Sequence, residues 1–235
     1  MKLDALAIGA HPDDVELSVS GTLIKLADQG YATGVVDMVR GELGSRGTPQ
    51  IRAREAQASA AIMKLKCREN LKLKDGELFD TPIARLAVVK MLRKYRPDIV
   101  FTHYWDDRHP DHVYTSRLVT QACYLAGLSK IKTRQERFRP KRVFYFMLPY
   151  GVKPTFYVDI SDQFSRKMDA ICAFKSQLHD LSSSEPQTYL SVPEFLPNLK
   201  SLNRYYGSLV NCDHAEAFLA KEPFAIDDVV KFFAG

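Results

Sequence analysis

The chain has 235 residues, 46% hydrophobic and 26% charged, which suits one large α/β core and excludes a disordered chain. A formal charge of +5 and a pI near 8.9 make it mildly basic. Its densest basic stretch, Lys130 to Arg142, reads as a solvated connecting loop and not as a nucleic-acid stripe, so no nucleic-acid partner is expected.

No run approaches the roughly 20 apolar residues of a membrane span, so no membrane partner is expected. The opening residues, MKLDALAIGAHPDD, are apolar too briefly and acidic too soon for a signal peptide. The four cysteines, Cys67, Cys123, Cys172 and Cys212, are scattered and form no CxxC pair. They read as free thiols in a reducing cytoplasm.

In chain order, Leu3–Gly9 reads as a buried strand and Val15–Gln29 as a helix stopped by Gly30. Thr33–Val39 is a second strand. Gly41–Pro49, with three glycines and a proline, is a loop, and Ile51–Leu65 is a helix. Asn70–Leu73 is a short strand, Pro82–Tyr95 a helix, Asp98–His103 a strand, and Pro110–Ala126 a helix closed by Gly127. Strands follow at Val143–Leu148 and Phe156–Ile160, then a helix at Asp162–Gln177. Beyond about residue 180 the periodicity weakens, and only a helix around Leu199–Leu209 is read.

Strands alternating with helices predict βαβ units, hence a Rossmann-like three-layer α/β sandwich with a mainly parallel central sheet. In such sheets ligands bind beyond the carboxyl ends of the strands, which directs attention to the loops after Gly9, Val39 and His103.

Two of those loops carry acids and imidazoles. The first reads Ala10-His11-Pro12-Asp13-Asp14, the later one Tyr104 to Asp107, then Arg108-His109-Pro110-Asp111-His112. Taken singly, each is also a helix start: Asp13 and Asp14 would cap a helix and complement its dipole. Taken together, they offer two imidazoles and a carboxylate for a catalytic metal, with a spare carboxylate to accept a proton from water.

The two motifs resemble those of the LmbE-like (PIG-L) family of N-acetylglucosaminyl deacetylases, marked by AHPDD after the first strand and HPDH after a later one. Gly21-Thr22, Glu42-Leu43, Gly47-Thr48, Arg52, Glu55-Ala56, Asp107-Arg108 and Ala215-Glu216 extend the similarity over most of the chain. The resemblance implies one deacetylase domain over residues 1–235. His11, Asp14 and His112 would bind Zn2+, with Fe2+ as a substitute. Asp13 would be the general base. His109 would serve the oxyanion or the leaving amine, and Asp111 would orient a histidine.

Within the family the chain resembles most the bacillithiol-pathway branch, which deacetylates N-acetylglucosaminyl-malate. That implies a small anionic glycoside as substrate, with Arg52 and Arg108 as candidate carboxylate contacts. The family also implies a homo-oligomer, a trimer or hexamer.

Three rival readings are set beside this one. A nucleotide-binding fold would want GxGxxG in the first loop, where this chain places Asp13 and Asp14 against any phosphate. A non-catalytic sugar-binding module would have no need of the full set of reactive groups. An amidase of another N-acylated sugar is the nearest alternative.

Overall fold

The computed structural model describes residues 1–234. The first apolar run forms β1 (Ala5–Gly9), and its alternating side chains feed two cores. Leu6 and Ile8 face one core, Ala5 and Ala7 the other. Chain order then gives α1 (Asp14–Asp28), β2 (Thr33–Val39), α2 (Pro49–Ile62), β3 (Cys67–Leu73), α3 (Pro82–Tyr95), β4 (Ile99–His103) and α4 (Pro110–Ala126). After these come β5 (Arg142–Phe146), β6 (Phe156–Asp159), α5 (Phe164–Cys172), α6 (Phe195–Ser208), β7 (Ala215–Ala220) and α7 (Val229–Ala234).

Local chemistry sets the helix ends. Thr48 and Thr81 cap α2 and α3 by accepting the N–H of Ile51 and Ala84, each with proline at the first turn. Gly30, at φ +90°, takes the left-handed turn after α1.

The seven strands run β3-β2-β1-β4-β5-β7-β6. The first five are mutually parallel, and β7 is antiparallel to both β5 and β6. The sheet is therefore mainly parallel and flanked by helices, as the alternation predicts. α3 and α4 supply Val88, Leu92, Leu118 and Ala122 to one core. α1 and α5 supply Val15, Val19, Leu23 and Ala170 to the other. Strand order reverses between β1 and β4, so their carboxyl ends flank a topological switch point.

Several elements differ from the sequence reading, among them α7, where no element is read. β3 begins at Cys67 and not at Asn70, because its polar Arg68 turns inward onto buried carboxylates. The helix expected to reach Gln177 begins after a 3-10 turn at Ser161–Gln163 and ends at Cys172. Beyond Cys172, tertiary bonds replace the helical ladder: Ser176 N–H donates to Glu55, and Gln177 Nε2 to the Arg46 carbonyl. α6 starts at Phe195, which packs beside Ile171 and Leu178. β7 was not foreseen as a strand, since Ala215–Ala220 lacks β-branched residues; pairing with β5 and β6 makes it one. Among the described residues, no helix is long and apolar enough to cross a membrane.

Candidate functional site

The turn from β1 into α1 is held in an unusual shape. Asp13 has φ +118°, a left-handed conformation that costs a non-glycine residue of order 1–3 kcal/mol. Neighbours over-determine it. The His11 N–H donates to Asp14 Oδ2 at 2.7 Å, and Arg52 Nη2 donates to Asp13 Oδ2 at 2.8 Å and to the Pro12 carbonyl. The result sends two adjacent carboxylates in different directions, one toward the imidazoles and one toward a guanidinium.

Asp14 is the hub. Its Oδ1 lies 3.4 Å from His112 Nε2, and its Oδ2 lies 3.4 Å from His11 Nδ1 and 3.1 Å from His103 Nε2. One ligand atom from each of His11, Asp14 and His112 falls within 4.8 Å of the others. His11, His109 and Asp111 form a second such group.

The far nitrogens of the two flanking rings rest on carboxylates. His112 Nδ1 is 3.1 Å from Asp107 Oδ2, and His11 Nε2 is 3.1 Å from Asp75 Oδ1 and 3.6 Å from Asp111 Oδ2. With those nitrogens engaged, His11 Nδ1 and His112 Nε2 are the nitrogens left to converge on Asp14. Two imidazoles and a carboxylate with carboxylate-backed rings fit a divalent metal of the zinc or iron(II) type.

Electrostatics separates the two aspartates. Burial pushes the Asp13 carboxyl up to about 7, Arg52 acting against the rise and Asp14 adding to it. Burial opposes ionisation of Asp14 as well, but the His112 and His103 rings hold it well below the usual carboxylate range. Burial disfavours the charged form of His112 too; Asp14 and Asp107 overcome that and raise it to about 9. His109 is lowered from its ordinary value, first by partial burial and then by the charges of His11 and His112.

These residues sit on a fold with close relatives. A match to the GlcNAc-PI de-N-acetylase (PIG-L) family covers residues 6–123. Diacetylchitobiose deacetylase of Thermococcus kodakarensis is 30% identical over 223 residues, spanning 90% of this chain and 80% of that protein. The chain belongs to the GlcNAc-PI de-N-acetylase family.

Two solved structures overlay closely. A conserved protein of Thermus thermophilus has a TM-score of 0.87 at 36% identity, covering 97% of this chain and 98% of its own. Diacetylchitobiose deacetylase of Pyrococcus horikoshii, solved with its inhibitor MPG, has a TM-score of 0.80 at 26% identity, covering 92% and 82%. The protein is a deacetylase of N-acetylated sugar conjugates, a hydrolase of the amide C–N bond.

In this PIG-L deacetylase, seven of the eight residues singled out from sequence lie together: His11, Asp13, Asp14, Arg52, His109, Asp111 and His112. His109 is exposed at the start of α4, its ring 4.8 Å from that of His11. Arg108 stands apart on the rim, its guanidinium carbon 4.4 Å from the centre of the Tyr189 ring. Arg52 is buried, unlike the exposed Arg54 of the same helix, with Nε lacking any partner. Three neighbours escaped the sequence reading as site members: Asp75, His103 and Asp107. Each stands at the same sheet edge, Asp75 in an Asp-Gly turn after β3 and His103 as the last residue of β4. His103 is fully buried, stacks on His112 at 4.1 Å between centroids, and leaves its Nδ1 without a partner.

Beyond the matched residues 6–123, the chain adds one wall. Arg46 donates to the carbonyls of Ser176, Leu178, Glu185 and Pro186 and to Ser183 Oγ, fastening the segment after α5 to the loop after β2. That segment carries Tyr189 across to Arg108.

Proposed function

We propose that the protein is a zinc-dependent deacetylase of an N-acetylglucosamine conjugate with an anionic aglycone, N-acetylglucosaminyl-malate being the best fit, as in bacillithiol biosynthesis. The observation that carries the chemistry is Asp14 bracketed by His11 Nδ1 and His112 Nε2, with Asp13 next to it in the chain. His11, Asp14 and His112 would hold the metal, with iron(II) as an alternative ion. When bound, the metal supplies Lewis acidity, acidifying a water and polarising the acetyl carbonyl.

Asp13 takes the proton of the attacking water. Its buried carboxyl, raised to about 7, has the basicity that a general base needs at neutral pH. His109, exposed and close to both His11 and His112, donates a hydrogen bond to the developing oxyanion or a proton to the leaving amine. Asp111 lies 3.6 Å from His11 Nε2 and accepts the Gly76 N–H, so it steadies that side of the site.

The anionic aglycone is supported by Arg52 and Arg108, and by the mild basicity of the chain. Arg52 already binds Asp13 through Nη2, so a substrate carboxylate would share its guanidinium with the base. A free-amine release assay over a panel of N-acetylglucosamine conjugates, with metal analysis of the same sample, tests the reading. The malate conjugate is expected to be turned over best. Preference for free N-acetylglucosamine would overturn the substrate assignment and leave the deacetylase chemistry in place. A second reading, an amidase of another N-acylated sugar, predicts instead that a different acyl group leaves fastest.

A further inference from the structure

We infer that Arg46 is a positioning residue for deacetylation, clasping residues 176–189 into a bridge across the site that keeps Tyr189 opposite Arg108. The inference rests on the reading of the His11 to Asp14 turn as the active centre. Arg46 lies in the loop after β2 and is 4% exposed. All three nitrogens of its guanidinium are used on the segment after α5. Nε donates to the Ser176 carbonyl at 2.9 Å, Nη1 to the Glu185 and Pro186 carbonyls at 3.3 and 3.2 Å, and Nη2 to the Leu178 carbonyl and Ser183 Oγ at 3.3 and 3.2 Å. Two further bonds join the same chains: Gln177 Nε2 donates to the Arg46 carbonyl, and the Gly47 N–H to Glu185 Oε1, each at 2.9 Å.

Topology gives the clasp its meaning. The segment leaves the loop after β2 at Ser176 and reaches the loop after β4 at Tyr189, whose ring lies under the Arg108 guanidinium. In the sheet β1 lies between β2 and β4, and all three are parallel. The segment therefore bridges the two loops that flank the β1–α1 turn, which carries His11 to Asp14. Its ends have other support: Leu178 and Leu190 join the cluster of Ile171, Phe195 and Leu17 of α1. Its middle has little, since residues 184–187 are exposed and Ser183 is half-buried. There the contacts of Arg46 and Glu185 do the fastening. The five acceptors of Arg46 are all neutral, four of them main-chain carbonyls, so its charge is spent on the shape of the segment and not on an ion pair. Without Arg46 the middle can lift while both ends stay seated and the fold survives.

The test compares wild type, Arg46→Ala, Arg46→Lys and Glu185→Ala on N-acetylglucosaminyl-malate and on free N-acetylglucosamine. Zinc content and amide hydrogen exchange over residues 176–191 are measured on the same samples. In Arg46→Ala the amides of the segment should exchange roughly 10-fold faster or more. A bridge in place about a tenth of the time raises KM about 10-fold, because substrate binding must then restore it. Turnover from the restored complex should fall less than about 3-fold, and zinc content should stay at the wild-type level. Arg46→Lys keeps the charge but has one nitrogen for acceptors spread from Ser176 to Pro186, so it should behave like Arg46→Ala. Glu185→Ala removes the Gly47 contact at an exposed position that the fold does not need. It should raise KM roughly 2- to 5-fold, and it carries the test if Arg46→Ala folds poorly.

Unchanged KM in Arg46→Ala and Glu185→Ala, with or without a lower melting temperature, would leave Arg46 a purely structural residue and overturn the inference. So would loss of zinc in step with activity, which would place its effect on the metal-binding turn. Full recovery in Arg46→Lys would overturn it as well, by showing that charge alone is needed. A wild type that rejects only the malate conjugate sinks the proposed substrate, and free N-acetylglucosamine then decides the role of Arg46.

Discussion

Helix α1 is shared by two kinds of buried charge, and they differ in what is left over. Further along the helix, Glu216 from β7 accepts the N–H groups of Gly21 and Thr22, the Thr22 hydroxyl, and Lys167 Nζ at 2.6 Å. Nearer its start, Arg68 is gripped by Glu16 and Asp37, all three side chains at most 3% exposed. There every cation has its anion and nearly every donor an acceptor. At the helix start, by contrast, His11 Nδ1, His103 Nε2 and His112 Nε2 all crowd onto the single carboxylate of Asp14. His103 Nδ1 and Arg52 Nε lack partners altogether. A satisfied cluster holds the fold; an unsatisfied one, kept in place by its surroundings, is equipped for chemistry.

If that distinction holds, mutations in the two clusters should fail in different ways. His112→Ala should remove most of the bound metal and nearly all turnover while the fold survives. Metal analysis, circular dichroism and activity on one sample separate these, and full metal occupancy with full activity would refute the ligand role. Lys167→Met should do the reverse. It strands Glu216 as a buried unpaired charge, a loss of about 3–5 kcal/mol in urea unfolding, with metal stoichiometry of the folded fraction intact.

Asp13→Asn sharpens the boundary within the site. It should bind metal normally and lose roughly 10² or more in kcat. A matched loss of metal would make Asp13 a ligand instead.

Arg52→Ala spans both functions. A buried arginine–carboxylate contact is worth roughly 2–3 kcal/mol, so kcat/KM for the malate conjugate should fall about 30- to 150-fold. Because Arg52 also holds Asp13, free N-acetylglucosamine should lose some activity, but less. Equal losses would mean that Arg52 serves Asp13 alone.

The smallest effect belongs to a pair outside either cluster. Slight burial opposes ionisation of Asp28, but Arg166 and Lys64 outweigh it and hold its carboxyl below the ordinary range. A lowered folded pKa stabilises above the unfolded value and is lost as pH falls through the folded one. Asp28→Asn should therefore cost at most about 1 kcal/mol near neutrality, and the difference from wild type should vanish in acid. An equal difference at pH 7 and pH 2 would show that packing, and not charge, is responsible.

Much of this was legible in the sequence because the site is built at strand ends, where local motifs and topology coincide. His11 to Asp14 and His109 to His112 are contiguous, and each sits at the start of a helix, the second announced by Pro110 and the His109 cap. The paired motifs thus pointed to the deacetylase family from letters alone. Asp75 was invisible because its partner His11 is 64 residues away, and a Lys-Asp-Gly turn reads as an ordinary connection. β7 escaped for a related reason: Ala215–Ala220 has little strand propensity of its own and is defined by neighbours from β5 and β6. The segment after Cys172 ends its helix because Arg46 and Glu55 bind it and its own Gln177 reaches the Arg46 carbonyl, contacts that no local period encodes.

The seat of Arg52 also bears on how this loop can change. Gly41 has φ +71°, and a Cβ there would lie 2.4 Å from Arg52 Nη1. At Gly44 the corresponding Cβ would meet the Gly41 carbonyl at 3.1 Å and the same nitrogen at 3.3 Å. Two blank positions thus bracket Glu42 and Leu43. Leu43 anchors through its main chain, while its side chain is 70% exposed. Drift in this loop is thereby channelled into outward-facing side chains, where new chemistry at the mouth of the cleft can be sampled while the guanidinium beneath keeps its seat.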